Sequence, residues 1–373
     1  MFFDDERRKK FIIATFTYLN PTGSNLSNTN LTITTGTWTR LTFTRNNRPI
    51  LYTNYPEALM EHDDTGNPKG YALADNGYYI NRQTVSAGEA QIFFSHWNKK
   101  TTAIKYRIHI RNLSSSDATV TVSNIGFCDG WDGTGAVCDF FTHSLGSIPV
   151  NANATAWMTP EYEIGVNTPF TGMLRFTTTQ TIQVTFYAYT NASYVNGNEV
   201  VYPYDPVQQL YGIDYQVYSG IGTGYFLSVN HGTIDIKNAY RYRTNDKNLN
   251  NNEITPINIV GTNYIARESA VAPFNNLGNW CTQNHHTITL HNTYSTAKTV
   301  YGYVCTNEEG NAQIIVHGSN VKGVRLTKDE NRTWKWCKIT LAAGEKFTFD
   351  YQTIVAAHGS SITFHEWSTN NYT

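Results

Sequence analysis

Two cysteines bracket the most distinctive loop of the chain, Cys128-Asp-Gly-Trp-Asp-Gly-Thr-Gly-Ala-Val-Cys138, with Asp139 directly after it. In an oxidising compartment Cys128 and Cys138 could close this loop as a disulfide. Asp129, Asp132 and Asp139 are hard oxygen donors of the kind Ca²⁺ selects. Their spacing fits neither the EF-hand loop nor repeated Asp-Gly calcium motifs, and an ordinary Gly-Asp turn accounts for the same residues. A second group, Cys281, His285, His286 and His291, offers nitrogen and sulfur donors. Zinc requires four such ligands in tetrahedral reach. Adjacent His285 and His286 point to opposite faces of a strand, so exposed strand-end histidines are the simpler reading.

Trp334 and Trp336 are two apart and share a strand face. Exposed, they would form a platform on which a sugar ring stacks; buried, they are core. Glu161 and Glu163 also share a face. A glycosidase needs its two carboxylates across a cleft, and a solvated pair is the simpler reading. The chain has no Gly-x-Ser-x-Gly elbow, no His-Glu-x-x-His and no P-loop. On these grounds no catalytic residues are expected, and the chain is read as a non-enzyme. No cofactor is expected apart from the calcium weighed above.

The elements that must carry these residues read as strands. Tyr106, Ile108 and Ile110 alternate with Arg107, His109 and Arg111, one dry face and one wet. Asn112-Leu-Ser-Ser-Ser-Asp117 supplies turn chemistry. Ala118, Val120 and Val122 then alternate with Thr119, Thr121 and Ser123. The pattern returns 180 residues later, where Ile288 and Leu290 precede Asn292-Thr-Tyr-Ser-Thr and then Thr299, Val300 and Tyr301. Ser86-Ala-Gly-Glu89 and Ala342-Ala-Gly-Glu345 reuse one tight turn before a strand. Many short strands, frequent turn residues and few helix signals predict an all-β chain of two similar β-sandwich or jelly-roll domains, consistent with a duplicated unit. The expected division is an N-terminal sandwich with an N-terminal arm at 1–195, a linker at 196–215, and a C-terminal sandwich at 216–373. The stretch Phe11 to Leu19 reads as a strand, and its charged preamble reads first as a solvated tail, with an arm that pairs with a neighbouring subunit by strand addition as the sharper reading.

Composition sets the functional expectation. The 373 residues carry 28 Lys and Arg against 29 Asp and Glu, a net charge of −1. There is no basic excess of the kind a nucleic-acid partner demands. No apolar run approaches the roughly 20 residues of a membrane helix, so no membrane insertion is expected. The start Met1 to Lys10 and the short run after it lack the features of a signal peptide. Charged residues make up 15% of the chain, below the usual roughly 25%. Two β-domains, low charge and no catalytic motif predict a structural subunit that assembles with itself into an extracellular shell, array or fibre, of virion-capsid or spore-surface type. The alternative expectation is a glycan-binding or adhesive β-sandwich.

Overall fold

A computed structural model describes residues 14–31, 38–39, 41–54, 58–59, 78–130, 133–190, 219–245, 257–260, 274–276, 280–306, 311–356 and 363–372. From the N-terminus the elements are β1 (Thr15–Tyr18), β2 (Leu26–Ser27), β3 (Phe43–Arg45), β4 (Pro49–Thr53), β5 (Ala58–Leu59), β6 (Tyr78–Val85), β7 (Gly88–Asn98), β8 (Ile104–Asn112) and β9 (Ala118–Asp129). Helix α1 (Thr134–Phe140) follows, then β10 (Gly146–Val150), β11 (Thr155–Trp157), β12 (Tyr162–Ile164), β13 (Thr168–Thr178) and β14 (Ile182–Tyr189). Next come β15 (Ser219–Thr223), β16 (Phe226–Asp235), β17 (Tyr240–Asn245), β18 (Ile257–Val260) and β19 (Phe274–Asn276). The chain ends with β20 (Gln283–His291), β21 (Lys298–Thr306), β22 (Asn311–His317), β23 (Asn320–Leu326), β24 (Thr333–Leu341), β25 (Lys346–Val355) and β26 (Thr363–Ser368).

The all-β expectation holds, with four sheets stacked as two sandwiches. The first pairs an outer sheet, β11-β8-β14-β6 with β12 also on β8, with an inner sheet, β10-β9-β13-β7-β4-β15-β18-β19 with β5 on β7. The second pairs an inner sheet, β23-β22-β25-β20-β16-β3, with an outer sheet, β1-β24-β21-β26-β17, with β2 also on β24. The alternation read from sequence places Tyr106, Ile108 and Ile110 opposite Val120 and Val122 in the first core. Ile288, Leu290 and Val300 do the same in the second. A third cluster joins the two inner sheets. Ile50, Tyr52, Phe93 and Met173 meet Ile314, Val316 and Ile354, with Val137 and Phe140 of α1 between them. A buried polar seam runs alongside. Gln91 Nε2 donates to the Cys281 carbonyl at 2.8 Å, and Gln91 Oε1 accepts from Gln283 and Arg175.

The expected linker at 196–215 lies outside the described residues, and the sheets draw strands from both sides of it. β1, β2 and β3 belong to the second sandwich, and β15, β18 and β19 extend the inner sheet of the first. The N-terminal strand β1 pairs with β24 of its own chain, Thr15 beside Thr340 and Tyr18 beside Cys337. Phe16 stacks on His317 at 3.9 Å, and Tyr18 packs edge-on against Trp334 and Trp336. Residues before 14, part of the expected arm, lie outside the described residues. Strand pairing between segments distant in sequence leaves no local signal.

The repeated Asn-turn stretch has a specific physical role. β8 and β9 lie in facing sheets, as do β20 and β21, so each turn is an arch across the sandwich rather than a hairpin. An arch takes the backbone out of its ladder and leaves carbonyls that must find donors. Asn112 Nδ2 donates to the carbonyls of Ser116, Val150 and Asn151 at 2.8–3.1 Å, and its Oδ1 accepts from Ser114 N. Asn292 repeats this with Thr296, Leu341, Ala342 and Tyr294 N. Asn98 makes a third instance at the β7–β8 crossing, with Thr102, Ile164, Gly165 and Lys100 N. Gly88 and Gly344, in the reused tight turn, have φ of +133° and +74°, conformations open to glycine at little cost. The likeness of the sandwiches stops short of identity. β14 runs antiparallel to β8, whereas β16 runs parallel to β20.

Candidate functional site

Trp334 and Trp336 do not form a platform. They are 0% and 1% exposed in the second core, where Trp336 meets Trp367 and Tyr351 and Trp334 Nε1 donates to the Leu19 carbonyl. Residues 333–337 are buried throughout, with Trp336 against Tyr351 of the facing sheet and Tyr18 of neighbouring β1 against both rings. The two rings are therefore packing, and no ligand can reach them.

Cys128 ends β9 and Cys138 lies on α1, both half-buried. No bridge joins them in this structure. Asp132 lies outside the described residues. Asp129 is exposed at the end of β9, while Asp139 sits beside Phe140, whose carbonyl accepts from Asn124 Nδ2. Asn124 and Asp129 are five residues apart on one strand, about 16 Å at the usual rise, so Asp129 and Asp139 do not converge on one ion. Among the described residues no group of three His, Cys, Asp or Glu side chains is arranged to hold a metal. The loop contains instead the only α-helix among the described residues. Gly133 at φ +64° starts it, and Gly126 of β9 gives it room, since a Cβ there would lie 1.7 Å from the Ala136 carbonyl oxygen.

Two surfaces remain. The first is the wet face of β8. Arg107 lies over the Trp157 ring at 4.4 Å, His109 packs edge-on to it at 5.0 Å, and Tyr187 and Tyr189 flank it. Register explains the grouping, since Trp157 pairs with His109 across β11–β8 and Tyr187 pairs with Arg107 across β14–β8. Glu161 binds Lys105 Nζ at 2.6 Å and accepts from Tyr189 Oη at 2.7 Å. The Lys105 and Tyr189 hydrogen bonds hold its carboxyl below the usual range, and burial pushes Tyr189 up to about 12. Glu161 is thus engaged by its neighbours, and both it and Glu163 are exposed. Replacing Trp157 with Ala removes a half-buried ring and one cation–π contact, with an expected stability loss of about 1 kcal/mol. Trp334→Ala, by contrast, empties a core position and is expected to lose about 4 kcal/mol. Urea unfolding of the two variants checks the difference.

The second surface is the outward side of β10, β9 and β13. Ala118, Val120, Val122, Ile148 and Phe176 point into the first core. Thr119, Thr121, Ser123, Ser147, Pro149 and Thr177 therefore share the opposite face. All are exposed except Thr121, which is half-exposed, and none is charged. Thr121 Oγ1 and Ser147 Oγ hydrogen-bond at 2.8 Å, and Thr177 sits beside Thr121 in register. Thr177 in turn pairs with Glu89, which forms an ion pair with Arg48, so the charge-free area ends at a charged rim. Among the described residues β10 is the terminal strand of its sheet, and exposed Leu145 adjoins it.

No family model and no curated protein matches the chain. Among solved structures, the PBSX exported protein XepA aligns with 82% of this chain and 96% of its own, at 10% identity and TM-score 0.18. Momordica charantia 7S globulin aligns over 83% and 78%, at 8% identity and TM-score 0.14. The T=3 Penaeus vannamei nodavirus structure aligns over 96% and 91%, at 8% identity and TM-score 0.13. Likeness of this degree carries no functional weight.

Proposed function

We propose that this chain is a non-enzymatic structural subunit that associates with copies of itself, in an extracellular shell, array or fibre. The observation that carries the reading is the charge-free face of Thr119, Thr121, Ser123, Ser147, Pro149 and Thr177 with its Arg48–Glu89 rim. Interface cores are depleted of charge and their rims are polar. Bringing two such faces together desolvates no ion, which is the main obstacle to burying ordinary protein surface. A rigid body suits the role, and the inner-sheet cluster with the Gln91 seam ties the two sandwiches into one.

The test is sedimentation velocity across a range of concentrations. The native chain is expected to sediment as a concentration-dependent oligomer. The double variant Thr121→Arg with Thr177→Arg places like charges on both faces and is expected to weaken association at least tenfold while leaving the fold intact. Oligomers unchanged by the two arginines would remove this face from the reading.

A second reading, glycan binding, is favoured by half-exposed Trp157 and Arg107, a ring beside a cation, with buried Tyr187 beneath them. A glycan array probed with native chain and with Trp157→Ala separates the two. Hits lost in the variant support binding there.

A further inference from the structure

Three histidines of the second sandwich form one side-chain cluster across its core. His286 on β20 is 0% exposed and His365 on β26 is 1% exposed. His231, in the bulge of β16, is half-buried at the rim. The His231 and His286 rings stack with centroids 5.2 Å apart, and His231 Nε2 lies 3.0 Å from His286 Nδ1. The chain of contacts continues at both ends. His231 Nδ1 is 3.0 Å from the Tyr240 hydroxyl, and His286 Nε2 is 3.0 Å from Thr353 Oγ1. His365 Nε2 is 3.0 Å from Thr244 Oγ1, while its buried Nδ1 has no hydrogen-bond partner.

This geometry fits neutral rings. An imidazole–imidazole hydrogen bond needs one nitrogen with a proton and one without. With Tyr240 donating to His231, His231 donates to His286, and His286 donates to Thr353. A proton added at His231 Nδ1 turns the Tyr240 hydroxyl from donor to acceptor. A second proton on the pair points two N–H groups at each other. The groups facing the cluster cannot compensate. β17 supplies Tyr240, Tyr242 and Thr244; β25 supplies Tyr351 and Thr353; β26 supplies Trp367, and β24 Cys337 beyond Tyr351. His285, on the other face of β20, adds only repulsion. Glu366 points away from His365 and holds Arg241 Nε at 2.7 Å. Among the described residues no carboxylate contacts any of the three rings. A charge forced into this core is therefore unpaired, the costly case.

Among the described residues β17 is the terminal strand of the outer sheet, where Thr39 N donates to the Arg241 carbonyl. β3 covers β16 only at Leu227, Ser228 and Val229, short of His231. We propose that the His231–His286–His365 cluster is an acid-sensitive latch that holds β16 and β17 closed at neutral pH and releases them as the histidines protonate, with the first sandwich still folded. The first sandwich has no corresponding histidine pair among the described residues; its buried His96 contacts Thr53.

The direction follows from linkage. Burial lowers His231 to about 4 and His365 to about 3, and holds His286 well below the ordinary value. The opened segment titrates near 6.5. Below that value it binds more protons than the closed form, so opening is favoured as pH falls. For His231 alone the opening equilibrium rises about 30-fold between pH 7.5 and pH 5, and the other two add to this.

Hydrogen exchange of the full chain at pH 7.5, 6 and 5, corrected for intrinsic exchange rates, tests the latch. Peptides spanning 226–245 and 363–368 are expected to lose protection at least tenfold by pH 5, while peptides spanning 104–129 keep theirs. The variant His231→Gln with His286→Gln, which has no titrating ring in the pair, is expected to show a smaller pH effect. The native profile decides even if this variant folds poorly. Undiminished protection of 226–245 at pH 5, or equal loss in 104–129, would overturn the proposal.

Discussion

Asn292→Ala is expected to destabilise the second sandwich by about 4 kcal/mol, as much as emptying a core tryptophan position. The side chain is 0% exposed and donates to three carbonyl oxygens while accepting from Tyr294 N. Alanine leaves those groups in a site that closes over them, and an unsatisfied buried polar group costs about 1–3 kcal/mol. Asn292→Asp is expected to be worse at neutral pH, because it places a carboxylate against carbonyl oxygens. Asn112→Ala should do the same to the first sandwich, since its partners are the same in kind and number. Urea unfolding followed by tryptophan fluorescence measures both. A loss under about 1 kcal/mol at either position would mean that the arch carbonyls find water, and that the corner does not organise the crossing.

Gly126→Ala is expected to do comparable damage by a different route. The added Cβ would lie 1.7 Å from the Ala136 carbonyl oxygen and 2.6 Å from Phe140 N, both backbone atoms of α1. Neither can rotate away, so the helix must leave β9. Val137 and Phe140 would go with it, and both belong to the cluster that joins the inner sheets. Losing two buried side chains of this size, with the strain of the clash, is expected to cost about 4 kcal/mol. The effect should concentrate at the junction. Exchange protection is expected to fall in 134–140 and 312–316 and to persist in 104–112 and 283–291. Uniform loss across both sandwiches would contradict the separate role given to α1.

Much of the strand content was legible in the alternation around Tyr106 and Ile288, because a face buried in a sandwich imposes period two. The shared spacing of Asn112 and Asn292 pointed to the same corner. That each corner is an arch between sheets was not legible, since arch and hairpin use the same turn residues. α1 was hidden because it is seven residues long, contains Gly135 and lacks a side-chain cap. Trp334 and Trp336 showed a shared face but not whether it was core, which depends on the facing sheet, where Trp336 meets Tyr351. His286 read as an exposed strand-end histidine, yet its neighbours in space, His231 and His365, lie 55 and 79 positions away. The charge-free face was written in Thr119, Thr121 and Ser123, but its extension through Ser147 and Thr177 depends on register.

Negative-stain electron microscopy of the purified chain beside the Thr121→Arg, Thr177→Arg variant tests the central claim most directly. The account predicts regular assemblies for the native chain and dispersed single particles for the variant. Single particles in both samples at every concentration would contradict a self-assembling structural role and turn attention to the Trp157 face.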